Sequence, residues 1–255
     1  MSYSRFYRSI RGAALVSATL VGATLLVLAV PDAPADELWS QAVSLHREYG
    51  TLVPGRMQIR FQQYNARNRL ISDDESEVRI FVDASGEVSS EIVFARQNGR
   101  DVTAERQRNP SGSSPFGPPQ SGSTQESDGN AFSGLLKSPF DPDEQSQVTF
   151  LAGSLDEING TRARKYSFRH DTGASSITVG TAWLSLSDGM PLRISLQLEP
   201  TPRFVDEFTM VQSFARDAVG RWVNVLTTFE GSGSFLFLRR RIESTFVFSE
   251  YFAPD

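Results

Sequence analysis

Two short stretches hold side chains that could do chemistry together. In "HDTGASS", His170 and Asp171 close an alternating run and stand just before Ser175 and Ser176. A hydrolytic Ser/His/Asp set is what such a group could form. No nucleophile-elbow pattern accompanies it, and adjacent strand positions point to opposite faces, so Asp171 is badly placed to orient His170. The other histidine, His46, falls toward the apolar side of a helical stretch, where packing is its expected role. Asp73, Asp74, Glu75 and Glu77 read as an acidic loop whose oxygens could hold calcium. Their spacing is not that of an EF-hand, and solvated carboxylates are the expectation. Arg239, Arg240 and Arg241 read as a basic run on a strand. Such charge is expected at an edge or on an outer face, where it blocks strand pairing, with an acidic partner as the alternative. No catalytic residue, metal ligand or cofactor is assigned.

The chain that must position these groups has 255 residues and no cysteine. That excludes disulfides, thiolate metal sites and a lipid anchor on an N-terminal cysteine. Arg5, Arg8 and Arg11 precede an uncharged apolar run over residues 13–30, and Ala33, Pro34 and Ala35 follow with cleavage-site spacing. Residues 1–35 are therefore expected to be a signal peptide, or an uncleaved anchor. The remainder is expected in the periplasm, soluble after cleavage near Ala35 or tethered to the inner membrane if the run is retained. Taking Arg5, Arg8, Arg11 and Asp32 from 25 basic and 30 acidic residues leaves 22 and 29. That acidic balance argues against nucleic acid as a partner.

One convincing helix follows, "DELWSQAVSLHREYG", with Asp36 as N-cap and Gly50 at its end. Leu38, Ala42, Leu45 and Tyr49 share a face widened by Trp39, Val43 and His46. From Arg56 the period becomes two, with Met57, Ile59 and Phe61 alternating against Gln58, Arg60 and Gln62. Turns are expected at Ala84, Ser85 and Gly86, at Asn98 and Gly99, and at Asn159 and Gly160. Residues 108–130 are rich in Pro, Gly, Ser, Gln and Asn and read as a disordered insertion in one domain, 36–255. Asp141 and Pro142 start a single helical turn. Strands resume through "GTAWLSLSDGMPLRISLQLEP", "DEFTMVQSFARD", "GRWVNVLTTFEG" and "SGSFLFLRRRIESTFVFSEYF". About ten antiparallel strands would span about 48 Å if flat, far more than one helix about 20 Å long can cover. The expected fold is mainly β: a curled antiparallel sheet, or incomplete barrel, with one N-terminal helix plugging its mouth.

The helix-first order, the Asp-Gly turn before "PLR", the "G-x-W-V" strand opening and the last basic strand ending near "FS-x-Y" resemble the LolA-like, or outer-membrane lipoprotein-sorting, proteins. The resemblance covers residues 181–252 and the first helix. It implies an incomplete barrel whose concave apolar side holds acyl chains beneath a helical lid. The insertion and "KSPFDPDEQ" occupy the place of the family's lid helices, and no single arginine matches its latch. Plausible lining residues are Leu184, Leu186, Leu192, Ile194, Leu196, Met210, Phe214, Phe235 and Phe237. The expected function is non-catalytic: carriage of a lipid or acylated protein, with an envelope protein-interaction module as the alternative.

Overall fold

The computed structural model describes residues 35–83, 86–108, 137–171, 173, 177–201, 204–235 and 238–254, all within one compact unit, Asp32–Asp255. The signal and most of the insertion expected from the sequence lie outside the described residues. No helix among the described residues is long and apolar enough to cross a membrane.

Helix α1, Ala35–Tyr49, is followed by strands β1 (Arg56–Asn65), β2 (Leu70–Val82), β3 (Val88–Gln97) and β4 (Arg100–Asp101). A short helix α2 (Thr103–Arg108) and a 3₁₀ turn (Pro142–Gln147) precede β5 (Val148–Ile158), β6 (Thr161–His170) and β7 (Ile177–Ser185). The chain ends with β8 (Pro191–Glu199), β9 (Val205–Arg216), β10 (Trp222–Phe235) and β11 (Leu238–Ser249). The eleven strands form one antiparallel sheet in the order β4-β3-β2-β1-β11-β10-β9-β8-β7-β6-β5. It is a meander interrupted once, where β1 pairs with β11 over ten residues, Arg56↔Ser249 to Asn65↔Arg240.

The turns follow their residues: Asn98 and Gly99, like Asn159 and Gly160, sit at positive φ between hairpin strands. Asp141 caps the 3₁₀ turn by accepting the Asp143 N–H at 3.0 Å. Four readings are corrected. The acidic residues lie on β2, not in a loop, because arginines of β1 face them across the ladder. For Arg239–Arg241 only the edge is ruled out, since β11 is an interior strand. Arg239 and Arg241 do take the outer face, where Asp206, Glu243 and the Tyr64 ring use their charge. A second helix, α2, exists despite having no apolar face. Strand β10 continues through Gly231 and Gly233 to Phe235, where the sequence reading ended one strand at Gly231 and began the next at Ser232. Gly233 is kept because the Phe204 carbonyl lies where a Cβ would stand.

Register places one residue from each of ten strands in a continuous row. Phe150, Phe168, Gly180, Leu196 and Met210 lead to Phe229, Ser244, Phe61, Asp74 and Gln97. This row belongs to the face toward α1: Trp39 stacks on Phe150 at 4.3 Å between ring centroids, and His46 meets Trp222 of β10 edge-on at 6.4 Å. Flat, β5 and β10 would lie about 24 Å apart, whereas the helix advances about 10 Å between those contacts. The strands therefore curve toward α1.

Candidate functional site

The concave face has two zones of different burial. In the first, Leu38, Trp39 and Ala42 of α1, with Phe140, pack on Tyr166, Phe168, Ala182, Leu184, Ile194, Leu196, Leu198 and Met210. The helix is stapled there by polar contacts too. The Trp39 indole donates to Gln145 Oε1 at 3.0 Å, and the Gln145 amide donates to the carbonyls of Pro139 and Asp141. Gly189, at φ +65°, lets the β7–β8 turn press against Gln41 and Leu38 of the helix.

Of the sequence-nominated lining residues, Leu184, Ile194, Leu196 and Met210 are 0–1% exposed inside this cluster. Leu186 and Phe214 border it, and Leu192 is buried at the start of β8. A ligand can reach the first four only if α1 moves. Phe235 ends β10 at the hairpin tip with its side chain outside the described residues, as is Phe237 altogether.

The second zone continues the same face across β10, β11, β1 and β2. Met57, Ile59, Phe61, Ile80, Phe229, Ile242 and Phe248 are each only partly buried. None of them belongs to the fully buried cluster, although Phe229 packs against it. The sequence reading saw the alternation of Met57, Ile59 and Phe61 without nominating them. Linking them to Ile242 and Phe248 required the β1–β11 pairing, which no local pattern carries. One hydroxyl is set into this zone: Ser244 is 2% exposed, lies between Phe229 and Phe61, and its Oγ has no partner.

The opposite, convex face of β1, β2 and β3 is charged and paired. Arg60 donates to both carboxylate oxygens of Asp73 at 3.0 and 2.9 Å, and Arg56 reaches Glu77 at 2.6 Å and Glu250 at 3.2 Å. These hydrogen bonds hold Asp73 and Glu77 below the usual carboxylate range. A shallow depression of about 290 Å³ lies on this face, lined by Gln58, Arg60, Glu75, Glu77, Phe94 and Val247 among others. Among the described residues no group of acidic or histidine side chains is placed to hold a metal ion.

His170 is wholly buried, with Nε2 3.4 Å from Glu144 Oε2 and Nδ1 without a partner. Glu144 also accepts from Lys137 Nζ at 2.7 Å, the main reason its carboxyl is held low. His170 therefore faces the 3₁₀ turn rather than Asp171, and Ser175 and Ser176 lie outside the described residues. Burial lowers the pKa of His46, against a weaker opposing pull from Asp141.

No family model matches the sequence, and no curated protein matches it. Among solved structures, the chain is similar to an outer membrane lipoprotein-sorting protein domain from Vibrio parahaemolyticus. The identity is 10% and the TM-score 0.36, over 84% of this chain and 92% of that one. It is similar to a LolA superfamily protein from Nitrosomonas europaea at 8% identity and a TM-score of 0.35, over 86% and 94%. Lipoprotein LppX of Mycobacterium tuberculosis shares 10% identity at a TM-score of 0.28, over 86% and 96%. The first two carry the description that the sequence resembles.

Proposed function

We propose that this chain is a non-catalytic periplasmic carrier that holds a lipid or acylated protein on the concave face of its sheet. The observation that carries the reading is the unequal cover of one continuous apolar face. Under α1 the face is closely packed. Across β10, β11, β1 and β2, Val78 and Phe246 are buried but Met57, Ile59, Phe61, Ile80, Phe229, Ile242 and Phe248 remain partly exposed. An acyl chain laid there would gain roughly 25 cal/mol for each Å² of apolar surface removed from water, before the cost of association. Displacement of α1 would extend the same surface to Leu184, Ile194, Leu196 and Met210.

Those four residues also favour a second reading. They are already packed to 0–1% exposure, as in a filled core whose surface serves a protein partner in the envelope. Native mass spectrometry of the protein purified from its own envelope, with an organic extract of the same sample, separates the two. A stoichiometric lipid or acylated passenger is the expected result. A mass without ligand that stays so when lipids are added would sink the carrier reading and favour the interaction module.

A further inference from the structure

Strand β5 is the last strand of the sheet, and its strand partner is β6. The other end of the sheet is closed by specific contacts. There β4 pairs with Arg96 and Gln97, the Val102 N–H donates to the Ala95 carbonyl at 2.9 Å, and the Gln107 amide donates to the Ile92 carbonyl at 2.8 Å. Arg100 and Asp101 add charge to that end. No such contact covers β5 among the described residues, and the strand carries one irregularity, a bulge between Ala152 and Leu155. Residues 148–155 of that strand read "VTFLAGSL", without charge or proline, and Leu151 is 74% and Leu155 50% exposed. An uncharged edge strand is a template for another strand.

We propose that β5 pairs antiparallel with β5 of a second copy of this chain, about a two-fold axis at Leu151. Size and charge favour that register. The uncharged part of the strand is residues 148–155, and an axis at Leu151 keeps the paired stretch, residues 148–154, inside it. Phe150 then faces the partner's Ala152, a large side chain beside a small one, on the face where Trp39 already stacks. Asp156 and Glu157 then lie beyond the paired stretch, because the residues that would stand opposite them belong to the 3₁₀ turn, so no like charges meet. Moving the axis to Phe150 would shorten the uncharged ladder to residues 148–152. Moving it to the far end of the strand would bring Asp156 and Glu157 onto each other. An isologous pair of this kind closes on itself and leaves no free strand edge at the junction.

The absence of cysteine from the chain makes the test direct. In the full-length protein, Leu151→Cys would be the only thiol, and across an antiparallel pair its Cα lies about 4.5–5.5 Å from its copy. That is within the roughly 4.4–6.8 Å a disulfide spans. Leu155→Cys is also exposed but would stand eight residues, or about 27 Å, from its copy. Mild oxidation of the protein, in its envelope or in detergent, is expected to convert most of L151C to a reducible homodimer and leave L155C monomeric. The control carries the same apolar N-terminal run, so association through that run would affect both variants. Absence of the L151C dimer, a cross-link to a different protein instead, or equal dimer from both variants would overturn the proposal.

Discussion

Trp39 touches four aromatic rings, stacking on Phe150 and tilting against Phe140, Tyr166 and Phe168, while its indole N–H reaches Gln145. Truncation to alanine removes the centre of that cluster and leaves Gln145 short of a donor. Trp39→Ala is expected to cost about 3–5 kcal/mol, read from the shift of the urea midpoint. A loss under about 1 kcal/mol would mean that α1 contributes little to holding the sheet. Ile59 is the opposite case. It lies on the same face but is only partly buried, so Ile59→Glu is expected to lower stability by no more than about 1–2 kcal/mol while abolishing lipid uptake. Unchanged uptake by a folded Ile59→Glu protein would move the ligand away from the β1–β11 zone. Gly180 shows why such roles are hard to read from sequence. A Cβ there would stand on the Ser195 carbonyl and 2.7 Å from the Phe168 ring, so the glycine exists to let Phe168 lie across β7. Nothing in "TVGTAW" announces that neighbour.

At the scale of elements, α1 also meets the sheet through His46, whose pKa burial lowers. His46 titrates below its ordinary value of 6.5 when folded, whereas the unfolded chain takes up its proton at that value. Its contribution is therefore complete above 6.5 and is lost as pH falls from there toward the lowered folded value. Asp73 and Glu77 behave alike in sign, but their window opens only below the ordinary carboxylate range near 4. Between pH 7.5 and 5, stability is expected to fall in the wild-type protein and to fall less in His46→Gln. Equal slopes in two urea titrations would show that α1 does not sense that proton. The helix itself was legible: its apolar stripe, its end at Gly50 and its contact face all follow from spacing in the sequence. So were the hairpins at Asn98 and Gly99 and at Asn159 and Gly160, whose turn types demand those residues. The acidic stretch of β2 was not, because Asp and Glu are poor strand formers on their own. The facing arginines of β1 and Arg96 of β3 support it as a strand, and alternation tells which way a side chain points, not which strand lies beside it.

Across the whole described unit, the fully buried cluster draws on α1, Phe140 and strands β6 to β9, and on no residue of β1 to β4 or β11. The N-terminal strands are joined to that body through the β1–β11 ladder, which links positions nearly the length of the chain apart. Pairing of such distant strands carries a large closure entropy and adds little apolar burial of its own here. Local stability is therefore expected to be uneven, with the body opening only globally and β1, β2 and β3 opening at lower cost. Amide hydrogen exchange should show slow exchange over β6, β7 and β8 and faster exchange over β1, β2 and β3. A ligand seated on Ile59, Phe61, Ile242 and Phe248 bridges β1 and β11, so its binding should slow exchange selectively in those two strands and in β2. That selectivity ties the carrier reading to the architecture, since the zone with the least cover is also the zone with the most stability to gain from an occupant. Uniform protection without ligand would contradict the uneven core. Ligand-induced protection confined to β6–β8 would place the ligand under α1 instead, and Leu184, Ile194, Leu196 and Met210 would then be its contacts.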